Sequence, residues 1–335
     1  VVLPHRILVT ATNFSGTCPD AFRLLTQAGL EVVENPHQRP MTLTELSPVV
    51  ASVSGVMAGV DTWNESVFRI APNLRVICRF GVGVDNFDIP AATRYGIAMC
   101  NCPGANANAV AELVVGLMLA LGRQIPLLDS STRRGAWART VGVELHGKTI
   151  GLVGLGRIAR LVVPKVRGFG MKVVAHDPYV WDEQFARENE ITRLSFDELL
   201  RESDYVSLHA PVTADTRHIM DTRAFGLMRP TAVLINTARG ALVDEAALYD
   251  ALSSGRLARA GLDVYEEEPA RNNRLFELEN VVVTPHTGAE TREAINSVSM
   301  MCAQSVVDVL SGRRPVSLLN PEAWDTVMKS LREGR

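Results

Sequence analysis

No excess of charge of either sign marks this sequence: acids and bases are scattered along 335 residues and leave a net charge of only −3. A nucleic-acid partner is therefore not expected, since no basic stripe is present to neutralise phosphates, and neither is a polybasic membrane contact. Long hydrophobic runs are lacking too. The most apolar stretch, residues 109–122, contains Glu112 and is too short to span a bilayer, and no secretory signal precedes it in a chain whose first residue is Val. Cysteine is scarce. Cys18, Cys78, Cys100, Cys102 and Cys302 form an odd set without metal-ligand spacing, so they are expected to be reduced packing residues of a cytoplasmic protein with no metal site. There is no internal repeat of fixed period and no low-complexity segment. The partners left by these exclusions are small molecules.

With 47% hydrophobic residues, a chain of this length can bury two ordinary cores, and two domains are expected. Short apolar runs alternate with amphipathic stretches from end to end, the pattern of parallel strands with crossover helices, which makes the class α/β. The first series of strands is expected at 6–10, 31–34, 55–58, 75–78 and 97–99. A long helix after Pro103 precedes a second series, "TIGLVG", "KVVAHD", "YVSLHA", "AVLINT", "AGLDV" and "VVVTPH". Six strands in that rhythm match two mononucleotide-binding halves.

The first of these six runs into Gly154, Gly156 and Ala159 in GxGxxA spacing, directly before a helical pattern. The first glycine permits a tight turn, the second a close backbone approach to a pyrophosphate, and the alanine close packing of helix on strand. Asp177 ends the next strand, 21 residues past Gly156, where a carboxylate would accept from an adenosine ribose. Because that carboxylate repels a 2′-phosphate, and no arginine occurs among the residues just after it, NAD is expected rather than NADP. Ligands of open parallel sheets bind beyond the carboxyl ends of the strands, and three ends there carry Arg239, Glu268 and His286. Hydride transfer at a carbinol carbon needs a base for the hydroxyl proton, a group that tunes it, and a cation for a substrate carboxylate. The trio supplies one of each.

Several longer stretches, "RFGVGVDN", "AATRYGI", "GRQIP", "ELHGKTIGLVGLGRIAR", "NTARGALVDEAAL", "GLDVYEEEP" and "TPHTGA", occur in one order between about Val53 and Gly312. On them the chain resembles the D-isomer-specific 2-hydroxyacid dehydrogenases, and within that family the phosphoglycerate dehydrogenases. The resemblance implies a Rossmann NAD-binding domain over 103–287 and a discontinuous, flavodoxin-like substrate domain over 1–102 and 288–335. It implies catalytic roles for Arg239, Glu268 and His286, with Val82, Gly83, Asn106 and Arg79 at the substrate. At the cofactor it implies Arg157 and Ile158 by the pyrophosphate, Thr237, Ala238 and Gly288 towards the nicotinamide half, and Asp263 on the carboxamide. Ala210 stands where such enzymes often place a threonine. A homodimer is expected about the helix after Pro103, whose apolar residues occupy more than one face.

The substrate is where residues and resemblance diverge. Phosphoglycerate dehydrogenases commonly end the third strand with an Arg-Ser pair, and this chain has Ala58 and Gly59 there. Arg79 and Arg139 are the available replacements, and a small unphosphorylated 2-keto acid, hydroxypyruvate or glyoxylate, is the expected substrate. The alternatives are an NAD-binding, co-repressor-like interaction protein and a formate- or phosphite-type dehydrogenase of the same fold.

Overall fold

A computed structural model of the chain describes residues 5–333 except 13, 38 and 138. The chain forms two compact units, Val1–Asn106 with Thr291–Arg335, and Ala107–Glu290. Residues 287 and 288 stay with the second unit because their amides donate to Asp263 there.

The first unit is a five-stranded parallel sheet of β1 (Arg6–Val9), β2 (Glu31–Glu34), β3 (Gly55–Ala58), β4 (Val76–Arg79) and β5 (Ala98–Cys100), in the order β2-β1-β3-β4-β5. This is the flavodoxin-like order, wound in both directions from β1. One face packs on the helix Arg292–Leu310, which comes from the far end of the chain and presents Val298, Cys302, Val306 and Val309 to the sheet. The expected edge of the sheet is also closed from that end. Residues 318–320 run beside β5: Leu319 donates to Met99 O, while the fully buried Asn320 accepts from Met99 N at 2.8 Å and donates to Ile97 O at 2.9 Å. Without Asn320 these backbone groups would be buried and unpaired, at about 1–3 kcal/mol each.

In the second unit seven parallel strands lie in the order β12-β11-β10-β9-β6-β7-β8. They are β6 (Thr149–Val153), β7 (Lys172–His176), β8 (Ile191–Arg193), β9 (Tyr205–Leu208), β10 (Val233–Asn236), β11 (Arg259–Leu262) and β12 (Val281–Val283). Reversal between β6 and β9 is the doubly wound Rossmann arrangement, with the ligand crevice at that switch point. The sequence reading counts six strands here and misses β8, which is three residues long with only Ile191 buried, too little for a hydrophobic period to register.

The helix after Pro103 is Ala107–Gly122, and its apolar excess has a different explanation from the one expected. Val110, Val114, Leu117, Met118 and Leu121 are buried within their own unit, against the helix Arg157–Gly168 and β10 to β12. The apolar surface that stays uncovered follows it: the helix Ile125–Arg133 buries no residue, Ile125 is 52% exposed, and Trp137 and Val141 are 85% and 94% exposed.

Candidate active site

β6 delivers the chain to Gly154, whose φ of +93° excludes other residues without strain; a Cβ there would also stand 2.9 Å from the backbone of His209 and Ala210. Gly156 then caps the helix Arg157–Gly168 with extended backbone and no side-chain cap, so the first amides of that helix are unmet. No atom lies within 4 Å of where its Cβ would be. The glycine is thus not demanded by packing, and the open cradle at a helix N-terminus fits a diphosphate. Arg157 and Ile158 form the first turn beside it, and Ala159 is fully buried against the sheet.

Asp177 closes this turn from the next strand. Its carboxylate accepts from Leu155 N at 2.8 Å, Tyr179 N at 2.9 Å and Val180 N at 2.7 Å. Burial would push its pKa up, but the three amides outweigh that and hold it below the ordinary carboxylate value. Of about four acceptor positions on a carboxylate one remains, on Oδ2, for a ribose hydroxyl. One neighbour escapes a reading of the residues just after Asp177. Arg193, on the unrecognised β8, stacks over the Trp181 ring at 4.8 Å and donates to the backbone carbonyl of Asp177, so a cation does lie beside this residue.

At the end of β10, the buried Asn236 pins the turn that follows: its side chain accepts from Ala238 N and donates to Arg239 O. Thr237 is buried with an Oγ1 that has no hydrogen-bond partner among the described residues, and an orphaned hydroxyl of this kind is where a polar ligand is wanted. Together with the cradle at Gly156 it makes the residues present fit a dinucleotide. Arg239 follows, with Nη1 donating to Ala238 O. Next comes Gly240, where a Cβ would lie 1.9 Å from the carbonyl carbon of Tyr265. Only glycine allows the Arg239 turn to touch the Tyr265 backbone, and the Glu268 loop starts from that backbone. Arg239 was legible as a cation at a strand end, whereas the requirement for its neighbour was not, because no spacing signals a contact between two loops.

Glu268 accepts from Tyr265 N at 3.1 Å through Oε1 and from His286 Nδ1 at 2.7 Å through Oε2. Burial would raise its pKa, but the bond and charge of His286, the Tyr265 amide and the charge of Arg239 together lower it. His286 is shifted the other way. The bond to Glu268 raises its pKa above the ordinary value of 6.5, opposed by partial burial and by Arg239. With Nδ1 on Glu268, Nε2 has no hydrogen-bond partner among the described residues, and the ring is half exposed. Of the three side chains that the sequence places at strand ends, Glu268 and His286 therefore meet in a hydrogen bond, and Arg239 lies close enough for its charge to act on both.

What holds His286 is Asp263, which is 1% exposed. Its Oδ1 accepts from Thr284 Oγ1 at 2.6 Å and Thr287 N at 2.8 Å, its Oδ2 from Gly288 N at 2.9 Å, and its carbonyl from His286 N. His286 is thereby kept at a φ of +53°, a left-handed conformation uncommon for a residue other than glycine. A single acceptor position, again on Oδ2, remains for the carboxamide that the resemblance assigns to Asp263. Gly288 belongs to this network first.

In the first unit, the loop after β4 is arranged by its carbonyls. Arg79 donates to the oxygens of Gly83, Ala58 and Phe80, Cys102 N to Gly81 O, and Asn101 to Val82 O. The amides of Val82 and Gly83 donate to no acceptor among the described residues, and Val82 is exposed. Two free amides side by side suit an anion such as a carboxylate. Asn106, partly exposed, ends this unit, and its side chain makes no hydrogen bond among the described residues.

The comparisons with known proteins agree with this geometry. A model of the D-isomer specific 2-hydroxyacid dehydrogenase NAD binding domain matches residues 115–288. The D-3-phosphoglycerate dehydrogenase of Methanocaldococcus jannaschii is 40% identical over 303 residues, 90% of this chain and 57% of that protein. The glyoxylate reductase of Thermococcus litoralis is 39% identical over 306 residues, 88% of this chain and 91% of that protein. Among solved structures, the TT0316 protein of Thermus thermophilus superposes with a TM-score of 0.86 at 35% identity, over 94% of this chain and 99% of that one. This chain spans about half the length of the phosphoglycerate dehydrogenases that it matches.

The pairing of Glu268 with His286 has a measurable signature. Since the folded pKa of His286 is raised and that of Glu268 lowered, their attraction contributes stability between the two values. It fades as pH falls through the Glu268 value and that carboxylate is protonated, and as pH rises through the His286 value and the ring loses its proton. In Glu268→Gln the His286 ring, followed by NMR, is expected to titrate at lower pH than in the wild type. An unchanged titration would show that the carboxylate does not set the proton affinity of the ring.

Proposed function

The chain belongs to the D-isomer-specific 2-hydroxyacid dehydrogenase family, and on that premise we propose that it is an NAD-dependent enzyme interconverting a small unphosphorylated D-2-hydroxy acid and its 2-keto acid. Hydroxypyruvate and glyoxylate are the favoured substrates. The observation that carries the reaction is the 2.7 Å bond from His286 Nδ1 to Glu268, which turns a second ring nitrogen, Nε2, to the reacting oxygen.

NAD, when bound, would supply the acceptor for the hydride of carbon 2, and NADH the donor. The protein does the rest. In oxidation Nε2 of His286 takes the hydroxyl proton, and in reduction the protonated ring returns it to the carbonyl oxygen. Glu268 orients the ring and steadies its charged form. Arg239 binds the substrate carboxylate and polarises the carbonyl. In the other unit, the Val82 and Gly83 amides, Asn106 and Arg79 are the residues that the resemblance assigns to the substrate. Gly154, Gly156, Arg157 and Ile158 hold the pyrophosphate, Asp177 the ribose, and Thr237, Ala238, Asp263 and Gly288 the nicotinamide half. The unit of 107–290 is then the cofactor domain and the other the substrate domain.

Two features support an unphosphorylated substrate. Ala58 and Gly59 bring no cation to the end of β3, and Arg79 is already bonded to carbonyl oxygens of its own loop. A phosphate dianion without partners would cost several kcal/mol to desolvate. A glyoxylate reductase is matched over nearly its whole length, whereas the phosphoglycerate dehydrogenases named above are matched over about half. We further assign the enzyme to the cytoplasm, where its five free cysteines stay reduced, and to a homodimer that covers the exposed apolar segment of Ile125, Trp137 and Val141. Sedimentation at micromolar concentration is expected to give twice the chain mass, and a monomer would remove the dimer.

His286→Ala is expected to lower kcat by about 100- to 10,000-fold with NADH affinity unchanged. Arg239→Ala is expected to raise KM and lower kcat together. Equal loss of NADH binding in either folded variant would place these residues at the cofactor instead. Comparison of kcat/KM for hydroxypyruvate and its 3-phosphorylated analogue is expected to favour the former. A preference of about tenfold (1.4 kcal/mol) or more for the phosphorylated compound would overturn the substrate reading.

A further inference from the structure

Three of the five cysteines, from positions far apart in the sequence, meet in the core of the first unit. Cys78 ends the buried part of β4, Cys102 follows β5, and Cys302 lies at the middle of the helix Arg292–Leu310. Their Sγ atoms all lie within 4.8 Å of one another, and all three residues have no solvent-accessible surface. The spacing that argued against a metal site in the sequence does not apply to a cluster assembled by tertiary structure. We propose that these three thiols form a binding site for one soft monovalent metal ion, Cu(I), held by sulfur alone.

The ligand set selects the ion. Thiolates favour soft metals, Cu(I) and Zn(II) foremost, and reject magnesium and calcium, which take oxygen. Zn(II) in a structural site takes four ligands. No fourth ligand side chain joins the group among the described residues, and water does not reach it. A three-coordinate ion meets what is there. With metal–sulfur bonds of about 2.3 Å, a trigonal site has its sulfurs about 4.0 Å apart, so the observed separations need contract by less than about 1 Å.

Burial pushes the thiols of Cys78 and Cys302 well above their ordinary pKa, whereas hydrogen bonds from those two thiols lower that of Cys102, which makes it the first ligand to be available as a thiolate. Each sulfur has a backbone carbonyl at hand: Cys302 Sγ is 3.4 Å from Cys78 O, Cys102 Sγ is 3.4 Å from Val298 O and from Arg79 O, and Cys78 Sγ is 3.9 Å from Arg79 O. On binding, each ligating sulfur that still carries a proton releases it to solvent, and each forms one sulfur–copper bond. No electron moves, because the ion arrives as Cu(I). The guanidinium of Arg79, next to Cys78, offsets part of the resulting negative charge. The occupant would sit at the base of the loop that offers the Val82 and Gly83 amides, since the Cys102 amide holds Gly81 O.

The test is an anaerobic titration of the reduced full chain with Cu(I) buffered by bicinchoninate, incubated long enough for local opening to admit the ion. One copper per chain should be withdrawn from the chelator, and X-ray absorption at the copper edge should show three sulfur neighbours. Cys302→Ser should weaken binding by more than about 100-fold, beyond what loss of an outer-shell partner causes. Cys18→Ser, whose thiol is not one of the three grouped sulfurs, should leave it unchanged. Copper left with the chelator, fewer than three sulfurs around it, equal loss in Cys18→Ser, or tighter binding of Zn(II) than of Cu(I) would each overturn the proposal. The absorption measurement needs only the wild-type chain and stands even if Cys302→Ser fails to fold.

Discussion

The carboxylate of Asp263 is the constraint on which the site is built. Buried among a threonine hydroxyl and two backbone amides, it fixes 284–288 as a single arrangement and holds the His286 backbone at a positive φ. A left-handed backbone at a bulky residue persists only where its surroundings over-determine it. Here they do. Asp263 aims Nδ1 of His286 at Glu268, and Gly240 brings the Arg239 turn against the backbone leading to Glu268. The charges of the trio are thus set against one another by two contacts that involve none of the three side chains.

The loops that face ligands share one economy. After β4, side chains and a neighbouring amide take the carbonyls, which leaves the amides outward; after β6, an uncapped helix start does the same with no side chain at all. Asp177 and Asp263 repeat a motif at opposite parts of the second sheet. Each is a buried carboxylate at a strand end that accepts backbone amides of the loop after a neighbouring strand, Leu155 for Asp177 and Thr287 and Gly288 for Asp263, and retains one acceptor position. A buried aspartate of this kind ties two loops together and keeps a free acceptor in the same group.

Much of this was legible in the sequence, and the illegible part has a physical pattern. Parallel strands buried on both faces declare themselves as apolar runs, so the α/β class, the doubly wound sheets and the GxGxxA turn could be read directly. Arg239, Glu268 and His286 could be picked out because strand ends are visible and charged residues there are few. What escaped depends on contacts between segments distant in sequence. β8 carries too little apolar character to register, and Arg193 was lost with it. Gly240 matters only because Tyr265 lies against it, and the apolar faces of the helix Ala107–Gly122 looked unpaired only because the strands that cover them come later. The three clustered thiols are separated by 24 and 200 positions, from 78 to 102 and from 102 to 302, and no spacing rule reaches so far.

The way the first unit is closed governs the order in which the chain can be completed during synthesis. Residues 107–290 form an uninterrupted unit and can fold as soon as they have left the ribosome. The five strands made before them must wait. One face of their sheet, packed in part by the helix Pro19–Gln27, is completed only when the helix Arg292–Leu310 emerges, and the open side of β5 is satisfied by residues 318–320. A nascent chain of this protein therefore carries an unfinished sheet, half covered on one face and bare at one edge, through the synthesis of nearly 200 further residues. That interval is when a chaperone has most to shield.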